Sequence, residues 1–254
     1  MGKHGPEFYD DEAVFATYMS RREKRIDSPN ETLEKPVFDE LAGNLMGLRI
    51  LDLGCGSGGF GLEALQKGCQ SYLGLDGSHK MIEVAKENLT GTLGKVVCEP
   101  IETWLYPSGQ FDLVTSRLAL HYIAEIEPVF AKIYQALVNR GRFIFSIEHP
   151  VITSCDRAWQ TETLRQDWIV DTYFETGPRQ TRWMGGDVIK YHRTIEDYFM
   201  ALRTAGFVVE ALRESRPQRA RFQDEATFER RKRIPLMLFF SAYRPLQSGP
   251  GSSR

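Results

Sequence analysis

Residues Arg49 to Gly61 read RILDLGCGSGGFG, and Ser71 to Asp76 read SYLGLD. An apolar run, a glycine-rich turn, a helix-like segment and a second apolar run with a terminal acid make one βαβ unit. Such a unit holds an adenosine-type ligand at the carboxyl ends of its strands. Gly54, Gly56 and Gly59 satisfy G-x-G-x-x-G, the pattern that lets a backbone approach a pyrophosphate in dinucleotide folds. Asp52 argues against that ligand. It stands two residues before the first glycine, and the turn carries no Lys or Arg to answer a phosphate. A carboxylate repels phosphate and attracts an ammonium or sulfonium, so charge favours S-adenosylmethionine over a dinucleotide. Asp76 follows Gly54 by 22 residues, the placement of a strand-end acid that accepts from ribose hydroxyls. Gly77 and Ser78 then open the next helix, with Ser78 as N-cap. Met81, in its first turn, either covers an adenine or packs inside the helix.

The rest of the chain continues the alternation. Helices are expected over about 10–25, 31–45, 58–67, 78–89, 125–138 and 194–205. Strands are expected over 48–53, 71–76, 95–99, 111–116 and 142–148, and near 207–213 and 235–243. Strands alternating with helices imply a parallel sheet covered on both faces. Thr194 and Asp197 form a capping box at the last of these helices. The chain has 254 residues, of which 42% are hydrophobic, and a net charge of −2. That is one large α/β domain with no general attraction to nucleic acid or anionic membrane. No apolar run is long enough to cross a bilayer, and the polar start MGKHGPEFYDDE is no signal peptide. Cys55, Cys69, Cys98 and Cys155 lack metal-ligand spacing, so no metal is expected and a reduced, cytoplasmic protein is.

LDLGCGSG, then LD-G-S, then FDLVTSRLALHYI together resemble the class I, Rossmann-like S-adenosylmethionine-dependent methyltransferases, over roughly residues 45–150. FSIEHPVITS, KYHRTIEDYFMALRTAGF and IPLMLFFSAYRP resemble a bacterial small-molecule subgroup, and SPNETLEKPVF with RLALHY is similar to azapteridine (toxoflavin-type) N-methyltransferases. The resemblance implies a seven-stranded, mostly parallel sheet with an antiparallel C-terminal edge hairpin. It also implies a parsing into an N-terminal helical lid (1–45), a cofactor-binding core (46–148), a substrate-binding insertion (149–193), the end of the core sheet (194–245) and a tail (246–254). The activity implied is methylation of a nitrogen or oxygen of a small heteroaromatic metabolite in secondary metabolism, by a monomer or homodimer.

Candidate residues follow from this frame. The cofactor set is Tyr18 and Arg21 from the lid, Asp52, Gly54, Cys55 and Gly56 from the turn, then Asp76, Gly77, Met81, Ile101, Glu102, Ser116 and His121. Pro100 stands where the resembled family often has an acid and has no N–H to donate, which shifts the adenine contacts to Ile101 and Glu102. The backbone carbonyl of Ser116 or Arg117 would take the cofactor ammonium, and an arginine such as Arg21 could clamp its carboxylate. His121, His149 and Tyr191 are the catalytic candidates, although a His on an apolar stretch is commonly a packed residue. Substrate contacts fall to Arg117 (or an ion pair there), Tyr122, His149, Trp168, Trp183 and Tyr191. Residues 149–193 carry many aromatics, Trp159, Tyr173 and Phe174 among them, and stacked rings suit a flat substrate. His192, directly before a helix start, is either a proton acceptor or structural. Other readings are a nicotinamide oxidoreductase on the same turn, and an RNA methyltransferase or noncatalytic binding module supported by Arg216, Arg219, Arg221, Arg230, Arg231, Lys232 and Arg233. Those basic residues alternate with Asp224, Glu225 and Glu229, as on a solvated surface. No nucleic-acid or membrane partner is therefore expected.

Overall fold

The computed structural model describes residues 2–23, 28–155 and 168–246. Two short helices, α1 (Gly5–Tyr9) and α2 (Glu12–Glu23), open the chain, and a π-helical turn (Asn30–Glu34) leads into α3 (Lys35–Ala42). β1 (Arg49–Leu53), α4 (Gly59–Gln66), β2 (Ser71–Asp76), α5 (His79–Asn88), β3 (Lys95–Cys98), β4 (Phe111–Arg117), α6 (Ile126–Ala136) and β5 (Leu137–Glu148) form the alternating half. After α7 (Pro150–Thr153) come a hairpin, β6 (Gly177–Trp183) and β7 (Gly186–His192), then α8 (Ile195–Thr204), β8 (Val208–Glu214), α9 (Glu225–Arg231) and β9 (Met237–Tyr243). The main sheet has the order β3-β2-β1-β4-β5-β9-β8. β1 to β5 run parallel, and β9 and β8 pair antiparallel at one edge. The alternation expected over residues 48–148 and the antiparallel edge hairpin are both present. Among the described residues no helix is long and apolar enough to cross a membrane.

The central strands are apolar at nearly every position because helices cover both faces. Leu51, Leu53, Val114, Phe143 and Phe145 face α6 and α8, whereas Ile50, Leu113, Ile144 and Phe239 face α3 and α4. The period-2 alternation of β-strands splits them this way. The second face also carries a polar set at the same parity: Asp52, Thr115, Arg117 and Ser146. Glu34, 1% exposed, reaches into it from the π-helical turn and takes an ion pair from Arg117 and a 2.9 Å hydrogen bond from Ser146. The Arg117 guanidinium lies over the rings of Phe38 and Phe60, at 4.7 and 5.9 Å. These contacts fasten the segment before α3 to the middle of the sheet.

β5 starts earlier than the expected strand 142–148, α7 and α9 have no expected counterpart, and the expected helix 31–45 opens as a π-helical turn; two further departures bear on the site. The helix expected over 10–25 is shorter and is preceded by α1, whose Phe8 is fully buried although its surroundings are polar. Phe8 packs with Val14 and Val188, and Lys3 bridges to Val188 of β7, so the chain's start becomes an added edge of the β6–β7 hairpin. That hairpin lies within 149–193, a stretch with no evident periodicity. Its two-residue turn, Met184 (φ 51°) and Gly185 (φ 85°), has the left-handed conformation typical of tight β-hairpins.

Removing one member of a buried ion pair strands the other. Glu34→Ala should lower the unfolding free energy by about 3–5 kcal/mol in urea denaturation, and the larger part should return if Arg117→Met is added.

Candidate active site

The glycine turn after β1 is shaped by what packs behind it as much as by what lies before it. A Cβ on Gly54 (φ 73°) would come 2.3 Å from Cβ of Ala119, in the segment after β4. A Cβ on Gly61 would come 2.4 Å from the ring of Tyr72. That ring lies under α4 so that its hydroxyl donates to Asp52 Oδ2 at 2.7 Å, while Thr115 Oγ1 donates to Asp52 Oδ1 at 2.8 Å. Burial pushes the Asp52 carboxyl above its ordinary range, opposed by these two hydrogen bonds and by the charge of Arg117. Asp52 borders the cavity in front of the turn, but its oxygens are held from behind.

That cavity has a volume of about 1110 Å³ and runs along the carboxyl ends of the strands. Gly54, Cys55, Gly56 and Asp52 form its floor beside β1, and Asp76, Gly77 and Met81 its side beside β2. Asp76 accepts from the backbone N–H of Gly56 and of Ser78, each at 2.9 Å. Burial raises its carboxyl to about 6 against those two donors. Ser78 caps α5 by accepting from the Met81 N–H and donates to Asp10 at 2.7 Å, which ties the loop after α1 to this wall. Ile101 and Glu102 border the cavity beyond β3. Tyr18 and Arg21 of α2 cover it: Tyr18 packs edge-on against Tyr9 at 5.3 Å, and the Arg21 guanidinium lies 5.8 Å from the Trp183 ring. Trp168 and Trp183 are in the wall as well.

Beyond β4, Arg117, His121 and Tyr122 line the cavity. The Arg117 guanidinium is committed to Glu34. His121 is 2% exposed, and burial pushes its imidazole down to about 4. The backbone N–H of Glu148 donates to His121 Nδ1 over a long 3.4 Å, so the neutral ring carries its proton on Nε2 and is set as a donor rather than a base. Tyr122 and Tyr9 share a hydroxyl–hydroxyl hydrogen bond of 3.2 Å.

Three of the candidates do not reach the cavity wall. Ser116 is fully buried and spends its hydroxyl on the carbonyl of Leu53 at 2.8 Å; the wall begins one residue later, at Arg117. His149 caps α7, its Nδ1 accepting from the Val151 N–H, and its Nε2 lies 3.0 Å from Glu214. It is a structural link between β5 and β8 rather than a proton acceptor at the site. Tyr191 occupies the parity of β7 opposite to buried Val188, Lys190 and His192, and so turns away from the packed face of the hairpin. His192 is buried between Thr153 Oγ1 at 2.8 Å and the Tyr173 carbonyl at 2.9 Å, which makes it structural. Tyr173 and Phe174 border a separate surface hollow, and Trp159 lies outside the described residues.

The residues that sequence reasoning missed are Tyr9, Glu34, Glu148 and Lys190. Glu148 ends β5 and lines the cavity. Its Oε1 accepts from Lys190 Nζ at 2.6 Å, and the lysine side chain is 1% exposed. Burial pushes the Glu148 carboxyl up, but the Lys190 ammonium, by its charge and its hydrogen bond, outweighs this and holds it below the usual range. A lysine at the buried parity of an otherwise alternating strand was the available signal.

Residues 51–145 match the methyltransferase domain family. A crystal structure of an S-adenosylmethionine-dependent methyltransferase from Mesorhizobium loti superposes with a TM-score of 0.77 at 34% identity, covering 83% of this chain and 97% of that one. The chain belongs to the S-adenosylmethionine-dependent methyltransferases. A Listeria monocytogenes structure assigned to the same enzymes gives a TM-score of 0.77 at 33% identity over 84% of this chain and 97% of that one. An uncharacterized protein of Haemophilus influenzae is 34% identical over 218 residues, 81% of this chain and 85% of the relative. The cofactor of this methyltransferase is therefore S-adenosylmethionine, and the turn suits it. Gly56, where a Cβ would meet no atom within 4 Å, faces open space beside Asp76, and no cation in the turn invites a phosphate.

With its imidazole held near 4 by burial, His121 should not titrate between about pH 5.5 and 8, unlike an ordinary histidine. The shift of its C2 proton in NMR should stay flat over that interval; a midpoint near 6.5 would show that the ring is open to water.

Proposed function

We propose that this methyltransferase transfers a methyl group to a nitrogen, or an oxygen, of a small heteroaromatic metabolite, an azapteridine being one fitting member. The observation that carries the reading is the wall of the cavity beyond the glycine turn, built from Tyr9, Tyr18, Tyr122, Trp168 and Trp183. Flat rings gain from aromatic faces and edges beyond their buried area. Two of the charges beside the aromatic set are matched, Arg117 by Glu34 and Glu148 by Lys190 from behind, and Arg230 and Arg231 border the cavity from α9.

In this reading Asp76 holds the ribose hydroxyls, Met81 and Ile101 flank the adenine with Glu102 at its rim, and the turn from Gly54 to Gly56 supports the methionine arm. Arg21 answers the cofactor carboxylate, with Tyr18 closing over it. The cofactor supplies an electrophilic methyl group on a positively charged sulfur. The chain's own contribution is to exclude water and align the acceptor, which can be worth about 7–11 kcal/mol of barrier. The N-terminal helices and the β6–β7 hairpin do this together, since Lys3 and Val188 join them. The basic cluster gives no second reading: Lys232 pairs with Glu229 and Arg219 with Glu225 on the surface, while Arg230 and Arg231 of α9 border the same cavity, the Nε of Arg231 being buried.

Release of S-adenosylhomocysteine, screened over a panel of nitrogen heteroaromatics and of aliphatic amines, tests the substrate class. Turnover confined to the aliphatic amines would refute it. Asp76→Asn should weaken S-adenosylhomocysteine binding about 10- to 100-fold, as expected when a charged hydrogen-bond acceptor worth about 1.5–3 kcal/mol is lost. The raised Asp76 carboxyl adds a sign: the wild-type affinity, measured by calorimetry, should fall as pH drops through about 6, and that dependence should vanish in the variant.

A further inference from the structure

The carboxylate of Glu148 is half used. Oε1 takes the Lys190 ammonium at 2.6 Å, while Oε2 is buried and has no hydrogen-bond partner. An orphaned carboxylate oxygen is costly, and native structures reserve such atoms for a role. The side chain keeps 15% of its surface exposed and lines the ligand cavity. Its place in the sheet is informative. β1 carries the glycine turn, β4 lies next to it and β5 lies next to β4. At about 4.8 Å per strand, Glu148 is roughly 10 Å across the sheet from the turn, on the side of the cavity that the cofactor's bed leaves for the acceptor.

We propose that Glu148 receives the proton of the methyl acceptor, and that the acceptor atom therefore carries a hydrogen, as a lactam-type ring N–H does and a pyridine-type nitrogen does not. The inference rests on the heteroaromatic reading above and narrows it. As the acceptor's lone pair takes the methyl carbon, the electron pair of the broken C–S bond stays on sulfur. The proton leaves the acceptor for Glu148 and passes from there to water, so the reaction needs no further reactant. Rotation about the last torsion of a glutamate is soft, so either oxygen can turn to the acceptor while the other keeps Lys190. Lys190 is a positioning residue. It does not line the cavity, and it fixes the carboxylate from behind with its ammonium 5.3 Å from the Trp183 ring and 5.8 Å from that of Tyr122. His121, with its proton on Nε2, can donate to an acceptor ring but cannot take a proton from it.

The test uses the intact chain and pairs of heteroaromatics, lumazine matched with 1,3-dimethyllumazine and 2-quinolone with N-methyl-2-quinolone, so that the blocked member of each pair carries no ring N–H. The wild-type protein is expected to release S-adenosylhomocysteine with the N–H members and not with the blocked ones. Glu148→Gln should lower kcat by about 10²–10⁴-fold, the usual worth of a proton acceptor, with the calorimetric Kd for S-adenosylhomocysteine within threefold of wild type. Calorimetry should also show lumazine binding to the wild-type S-adenosylhomocysteine complex and binding more weakly to that of Glu148→Gln. Glu148→Ala should regain part of its rate as formate is added. Because single variants take the carboxylate away from the buried Lys190 ammonium, the double variant Glu148→Gln with Lys190→Met removes both charges; it should melt close to wild type, bind S-adenosylhomocysteine and remain inactive. Turnover of the blocked members equal to that of the N–H members, or a Glu148→Gln or double variant within threefold of wild type, overturns the proposal. So does loss of activity accompanied in every variant by loss of S-adenosylhomocysteine binding, which would mark Glu148 as structural. Absence of turnover with any N–H heteroaromatic or amine overturns it too. Turnover of aliphatic N–H amines alone, lost in Glu148→Gln, would refute the heteroaromatic reading while supporting the role of Glu148.

Discussion

The contact between Gly54 and Ala119 is the constraint around which the rest is arranged. The turn after β1 and the segment after β4 approach until a single additional carbon on Gly54 would collide with Ala119. No L side chain relieves that distance, and the positive φ adds a second penalty for any residue but glycine. Because β1 and β4 are hydrogen-bonded neighbours, this contact sets how close the ends of the central strands lie. It therefore bears on the spacing of the crevice that Asp52, Asp76, Arg117 and His121 border. Of the motif glycines Gly54 is thus required by the protein itself, as is Gly61 beyond the motif, while Gly56 opens on free space.

Charge is handled by a second principle, which is that almost every buried ion in the crevice is matched at the moment of folding. Arg117 is taken by Glu34 and Lys190 by Glu148, while Asp52 is satisfied by two hydroxyls. Buried pairs of this kind rarely add much net stability. They keep their own parts of the wall near neutral, and the other charges bordering the cavity include Asp76, the open side of Glu148, Arg21, Arg230 and Arg231.

How much of this was legible depended on the periodicity of each segment. β1, β2, β4 and β5 read clearly because strands covered on both faces are apolar throughout, and the helices between them begin at recognisable caps such as Ser78 and Thr194. The βαβ unit with Asp52 and Asp76 was equally plain, since glycines and acids at fixed spacing have few other uses. The β6–β7 hairpin was not plain. Its buried parity holds Thr181, Lys190 and His192, so the alternation of burial is real while the alternation of hydrophobicity is absent. His149 and Tyr191 were misplaced for related reasons. An imidazole at a strand exit can serve a helix cap as well as a substrate, and a one-residue step along a strand reverses which face a side chain meets. Phe8 stood alone among polar neighbours, and nothing local marked it as a core residue.

The backbone exchange at the chain's start has a wider consequence. The N–H of Lys3 donates to the carbonyl of Asp187, and the N–H of Ile189 donates to the carbonyl of Lys3. Two segments that are nearly 190 residues apart in sequence are thereby riveted into one plate over the mouth of the crevice. Raising one segment alone would cost those two hydrogen bonds, about 1 kcal/mol each, so a reactant passes most cheaply where the two segments move together or where they leave an edge uncovered.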